Sequence, residues 1–370
     1  MRQEKKGSFL LFAGSYAEAP EDGLYAYALD RTSGALTLLN RSGGYRNPCF
    51  LDLDHRNRRL YTVAEREADG TETCAVALAF AFDPADGQLQ LLSEEKTVGR
   101  ATCHIQYNDA GRYVVATSYS GGAVGYLPVL PDGQLGRMSD AHRHEGAGPH
   151  PTRQDRPHPH SAYTDPENRY VYVPDLGLDR IKIYKPDAAG GKLEPHGEAI
   201  APPASGPRHM AFHPSKPYVY VINELDSTIS AYEQDPASGA LRLIESVTTL
   251  PEDYAQQDDN TCAEIQITPD GRFVYGSNRG HDSIAAFRVD DRTGRLSPVQ
   301  IVSSLGRRPR NFAVSPDGRY IVAAHQDSAN LVVFRIDDET GMLLDTGHRA
   351  EASKVVCVRF WNEDHTPSVQ

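Results

Sequence analysis

The chain of 370 residues carries 38 Lys and Arg against 50 Asp and Glu, a net charge of −12 at pH 7. That balance excludes the broad basic surfaces that drive binding to nucleic acid and to acidic membranes. With Gly 31, Pro 25 and Tyr 19 punctuating short Val, Ile, Tyr and Phe runs, and no long stretch of helical period, the composition points to β structure.

In chain order, the opening segment MRQEKKGSFLLFAGSY has too short an apolar run for a signal h-region or a membrane span and reads as a first strand. A turn signature, Asp-x-x-x-Gly-x-Leu, then recurs at Asp30–Leu36 and Asp83–Leu89, in a shortened form at Pro131–Leu135 and a lengthened one at Pro186–Leu193. It returns at Asp235–Leu241, Asp290–Leu296 and Asp337–Leu343. The closing leucines of these seven copies lie 46 to 58 residues apart, a period suited to one four-stranded blade. Between the turns run RRLYTV, GRYVVA, NRYVYV, KPYVYV, GRFVYG and GRYIVA, anchored at Leu60, Tyr113, Tyr170, Tyr218, Phe273 and Tyr320. These predict second strands. Short apolar runs ahead of them, such as HMAFH before Pro214 and FAVS before Pro316, predict inner strands, and segments such as TISAYEQD and NLVVFRID predict third strands.

The first copy begins directly with a second strand, FLLFAGS, and lacks an inner one. The missing strand is found at the other end of the chain, KVVCVRF at Lys354–Phe360. The expectation is therefore an all-β chain forming a single domain over 1–370: a seven-bladed β-propeller of four-stranded antiparallel blades, with the C-terminal strand pairing into the N-terminal blade to close the ring and protect its edges. The rival architecture is a solenoid or a pair of sandwiches. Five cysteines, Cys49, Cys74, Cys103, Cys262 and Cys357, are scattered without a CxxC pair or zinc spacing, which fits reduced thiols in a cytoplasmic protein.

In an inner-to-second-strand hairpin, residues placed symmetrically about the turn become neighbours, so position selects candidates without any motif. The residues that open the inner strands are Phe50/Leu51, Cys103/His104, His160/Ser161, Arg208/His209, Ala263/Glu264 and Arg310/Asn311. Those that end the second strands are Glu65, Ser118/Tyr119, Asp175, Asn223/Glu224, Asn278/Arg279 and His325/Gln326. All are expected at one mouth. Arg208, Arg279 and Arg310 meeting there in an acidic protein point to a small anionic ligand, since the guanidinium fork suits carboxylate and phosphate oxygens. The bland alternative is that each arginine staples blades through Glu224 or Glu264. Either glutamate serves as general base if apolar walls raise its proton affinity, and His160 serves as proton donor or acceptor. The His-rich segment 139–159, with His142, His144, His150 and His158, reads as a lid, a specificity loop or a disordered insertion; His158 and His160 form at most an incomplete metal pair, so no metal or other cofactor is called for. No GxSxG elbow, GxxxxGK[ST] loop or GxGxxG turn follows a strand anywhere in the chain.

The segments HPHSAYTDPENRYVYVPDLGLDRI, GPRHMAFHPSKPYVYVINE, AEIQITPDGRFVYGSNRGHDSI and RPRNFAVSPDGRYI resemble the seven-bladed lactonase family, which includes propeller-type 6-phosphogluconolactonase and 3-carboxy-cis,cis-muconate lactonizing enzyme. The resemblance covers nearly the whole chain and implies an active site at His160, Arg208, Glu224 and Arg279. It departs from the family at the 139–159 loop and at 251–260. The activity it implies is hydrolysis of an anionic sugar lactone of the 6-phosphogluconolactone type. Glu224, or in second place Glu264, activates water; Arg208 and His160 stabilise the oxyanion, and Arg279 with Arg310 holds the anionic group. His104, His209, Glu264, Arg310, Asn311 and His325 complete the expected substrate-binding set. The partner is then a small anionic lactone or carboxylate, bound by a monomer or weak homodimer. A muconate-type lactonizing cycloisomerase and a non-catalytic anion-binding propeller are the alternatives.

Overall fold

A computed structural model describes residues 7–68, 72–255 and 259–363. The first six residues of the expected N-terminal strand segment and residues 256–258 of the 251–260 stretch lie outside them. The described residues form 28 strands in seven separate four-stranded antiparallel sheets. From the centre outward, the inner strands of blades 2 to 7 are Leu51–Asp54, Thr102–Asn108, Tyr163–Thr164, Pro207–Phe212, Thr261–Ile267 and Pro309–Val314. Blade 1 takes its inner strand from the end of the chain: Val355–Phe360 pairs antiparallel with Ser8–Ser15, Leu11 opposite Phe360 and Gly14 opposite Cys357. The ring closes as the sequence implies.

The repeated turn explains how the blades lock together. In each regular copy the leading Asp accepts hydrogen bonds from the turn's own backbone, as Asp290 Oδ1 does from Arg292 N at 3.0 Å and Thr293 N at 2.9 Å, an Asx turn that fixes the loop locally. The glycine of that copy, Gly294, sits at φ +70°, where a Cβ would lie 2.6 Å from Tyr218 of the preceding blade. Glycine thus lets the anchor aromatic of one blade pack under the turn of the next. The tyrosine hydroxyls then donate to the turn carbonyls: Tyr218 to Arg292 O at 2.8 Å, Tyr170 to Ala237 O at 2.7 Å, and Tyr320 to Thr32 O at 2.8 Å across the closing seam. Apolar side chains from both faces of each sheet are buried between neighbouring blades, as where Tyr220, Ile222 and Ile229 of blade 5 pack on Ile265, Val274 and Phe287 of blade 6. No helix of the described residues is long and apolar enough to cross a membrane.

The inner strands are not regular ladders. Register shifts fall between Thr102 and His104, Pro207 and His209, Cys262 and Ile265, and Pro309 and Asn311. Such a bulge re-aims the extra side chain and ends regular pairing, and here it recurs at the same rim of the inner strands of blades 3, 5, 6 and 7. In blade 4 the ladder is shorter still. Pro157 and Pro159 deprive the segment of backbone donors, leaving His160 on a loop tied by a donated bond from its backbone N to Pro174 O at 3.0 Å.

Candidate active site

At the mouth where the bulges lie, a cavity of about 490 Å³ is lined by residues that include His160, Glu224, Arg279, Arg310, Tyr119 and Arg153. Glu224, the first residue after the second strand of blade 5, lies on its wall. Glu224 Oε2 accepts from Arg208 Nε at 2.9 Å and forms an ion pair with Arg279 Nη2 at 2.8 Å, while Oε1 accepts from Arg153 Nη2. Burial alone would raise its proton affinity, but the guanidiniums of Arg279 and Arg208, then His160 and Arg153, outweigh burial and hold the carboxyl well below the usual range. The expectation that apolar walls raise Glu224 toward neutrality is therefore corrected. It rests ionised at neutral pH.

The four bulges divide the remaining expected residues between two levels. Cys103, His160 and Arg310 line the cavity. Arg208 does not: its side chain is 2% exposed and lies beneath Glu224, with Nη1 donating to Ala263 O at 2.6 Å. It supports the carboxylate rather than facing the cavity. The partners that follow on the same strands turn into the channel and bond one another. Glu264 Oε2 accepts from Asn311 Nδ2 and shares a hydrogen bond with His209 Nδ1 at 3.1 Å, and Glu264 Oε1 accepts from Gln266 Nε2 at 3.0 Å. The His104 ring stacks within 4.2 Å of Phe50 and 5.6 Å of His209. None of His104, His209, Glu264 and Asn311 lines the cavity. His104 instead borders a second cavity, about 480 Å³, at the opposite ends of the inner strands.

His325 is further removed, since it bonds Asn330 O through Nδ1 at 3.2 Å and lies directly over Gly306, and burial lowers its pKa to about 4. Position counting placed it at the mouth because it ends a second strand, but its ring lies over the Ser304–Gly306 turn instead.

The His-rich segment is a packed structure over the mouth. His144 Nδ1 pairs with Asp175 at 2.6 Å, with Tyr184 Oη 2.9 Å from its other nitrogen. His158 stacks on Tyr119 at 4.1 Å and bonds Tyr119 O, and His150 Nδ1 accepts from the backbone N of Arg153 at 3.3 Å. The imidazoles of His144, His150 and His158 thus serve as fixtures of this loop. His160 keeps a buried Nδ1 without a partner among the described residues, and burial, with Arg208 and His209 nearby, holds the ring neutral.

Several cavity residues escaped sequence reasoning, Tyr16, Arg153 and Arg308 among them. Tyr16 ends the second strand of blade 1, the position that Tyr119, Glu224 and Arg279 hold in theirs, so the same count extended to the first copy finds it. Arg153 occupies no repeat position and left no such signal. Arg310 packs over the Tyr16 ring with its guanidinium carbon 5.4 Å from the centroid, and makes no ion pair among the described residues.

The sequence profile described as "Lactonase, 7-bladed beta-propeller" matches residues 10–360. The chain is 36% identical to the 6-phosphogluconolactonase of Bacillus subtilis over 82% of its own length and 84% of the relative's. It is 33% identical to the 6-phosphogluconolactonase of Formosa agariphila, over 82% of this chain and 86% of that one. The solved periplasmic gluconolactonase of Pseudomonas aeruginosa superposes with a TM-score of 0.89 at 30% identity, over 96% of this chain and 99% of the other. With blades, closing strand and mouth all in place, these likenesses make the chain a member of the seven-bladed β-propeller lactonase family.

Proposed function

We propose that the protein hydrolyses a sugar lactone bearing an anionic group, with 6-phosphogluconolactone as the type substrate. The observation that carries this reading is an ionised carboxylate, Glu224, fixed by buried guanidiniums in a cavity that also holds a neutral imidazole and an arginine free of any carboxylate partner among the described residues. The names of the relatives support the substrate class. Glu224 takes a proton from water as the water oxygen bonds to the lactone carbonyl carbon. Charge developing on the carbonyl oxygen faces Arg279, a preorganised donor. The ring C–O bond then breaks, and the proton on Glu224 returns to the departing oxygen, a transfer that its weak proton affinity favours. His160 is placed to hydrogen-bond that oxygen, and Arg310 holds the phosphate. The new carboxylic acid ionises and releases one proton.

Arg208 enters this scheme as a positioning residue for Glu224, not as the oxyanion donor. Glu264 has no part in the chemistry because it does not line the cavity and is bonded instead to Asn311, His209 and Gln266. A cytoplasmic role in carbohydrate metabolism accompanies the proposal, supported by five free thiols. Acid release in a pH-stat from 6-phosphogluconolactone and from gluconolactone tests it. Rates above buffer hydrolysis are expected for the phosphorylated lactone first, and no acceleration of either compound overturns the reading.

A further inference from the structure

Three arginines on one carboxylate are more than its charge requires, and the three are not equivalent. Arg208 and Arg279 stand on strands, bond Glu224 Oε2, and have side chains only 2% and 7% exposed. Both also donate to backbone carbonyls, Arg208 to Ala263 O and Arg279 to Cys262 O at 2.8 Å. Arg153 comes from the rim loop, is 35% exposed, and alone occupies Oε1; its other bond is to the Tyr119 hydroxyl at 3.3 Å. Glu224 and the Tyr119 hydroxyl hold the Arg153 guanidinium firmly charged against partial burial, yet it is the one cation of the three that solvent reaches, so an incoming anion meets it first.

The backbone beside Arg153 is fixed by buried bonds, while its side chain is partly exposed at the rim. Gln154, next in the chain, is fully buried, donating to Leu176 O at 2.8 Å and to Asp179 at 2.6 Å and accepting from His150 N at 2.9 Å. The loop is therefore anchored one residue away from an arginine whose head reaches the cavity and bonds Glu224 and Tyr119 through the same Nη2.

Resting on the lactonase reading above, we infer that Arg153 is exchanged between the enzyme and the substrate: the anionic group of the lactone draws it off Glu224, which adds a cation to the anion's cradle and uncovers Oε1 for the attacking water. A phosphate presents more charge and more oxygens to the guanidinium fork than a carboxylate already shared by two arginines. Arg153 thereby sets specificity, since an uncharged lactone leaves Oε1 covered.

The test compares phosphorylated and unphosphorylated gluconolactone with the unaltered protein, Arg153→Gln and Arg153→Lys. In Arg153→Gln, kcat/KM for the phosphorylated lactone should fall by about tenfold to a hundredfold, the loss of one charge-assisted bond, chiefly through KM. Turnover of the unphosphorylated lactone should rise, and Arg153→Lys should keep part of the preference. Equal losses on both lactones, or an unchanged preference, overturn the inference. Calorimetric binding of 6-phosphogluconate against gluconate judges Arg153 separately from hydrolysis. If the unaltered protein turns over neither lactone, the lactonase reading fails, while loss of the phosphate's binding advantage in Arg153→Gln still supports exchange and its persistence overturns it.

Discussion

Glu224 and Glu264 are both buried glutamates in the same channel, contributed by adjacent blades, yet their environments drive them in opposite directions. Burial raises both. At Glu224 the guanidiniums of Arg279 and Arg208 reverse that effect and hold the carboxyl ionised. At Glu264 burial prevails over the more weakly felt Arg359, Gln266 and Arg208, and the carboxyl is held above its usual range. Its direct partners, Asn311, His209 and Gln266, are neutral groups. Depth in the fold is common to both sites, so the charge of the bonding partner decides which carboxyl stays ionised and which holds its proton more tightly.

The contrast is most exposed to test at the carboxylates themselves. Glu224→Gln should lower kcat per folded molecule by about 10²- to 10⁴-fold, the usual contribution of a positioned acid–base group; Glu264→Gln should keep most of the activity, and comparable losses would collapse the distinction. Arg208→Met should reduce kcat by about tenfold or more while leaving KM nearly unchanged, because it removes support rather than substrate contact. It should also move the acidic limb of the pH profile upward toward the ordinary carboxylate value, since one of the cations holding Glu224 ionised is gone.

Thermal unfolding against pH sharpens the comparison further. The folded proton affinity of Glu224 lies below that of the unfolded chain, so its stabilisation is fully present above the ordinary carboxylate value of 4.5 and is lost as pH falls through the depressed folded value. Glu264, raised in the fold, behaves inversely: its contribution is full below 4.5 and lost as pH rises through the folded value. The destabilisation of Glu224→Gln should therefore shrink on acidification, whereas Glu264→Gln should gain on the unaltered protein as pH rises, by about 1 to 3 kcal/mol. Parallel slopes would contradict the assignment. The smallest effect belongs to His325→Gln, for which kcat/KM should change by less than about twofold, because the residue touches neither the cavity nor Glu224.

Much of this was readable from residues. The ring was legible because each blade repeats one local solution: an Asp that caps its own turn, a glycine under which the neighbouring tyrosine fits, and a strand that alternates. Glu224, Arg279, His160 and Arg310 were legible as well, since their positions relative to the anchors place them at one rim. Position counting could not divide Cys103 from His104 or Arg208 from His209, because a bulge changes side-chain direction without changing the spacing of the repeat. Arg153 was beyond reach for another reason: it meets Glu224 across 71 positions of sequence from a loop that obeys no period.

The strand that closes the ring follows every other described strand in the chain. Tyr16 N donates to Lys354 O at 3.1 Å, and Arg310 lies over the Tyr16 ring, so the rim includes the seam between the two chain ends. A nascent chain whose Val355–Phe360 segment has not yet emerged from the ribosome has no means of completing that rim. Translation thus delivers the pocket only after the strands of blades 2 to 7 have emerged, rather than blade by blade.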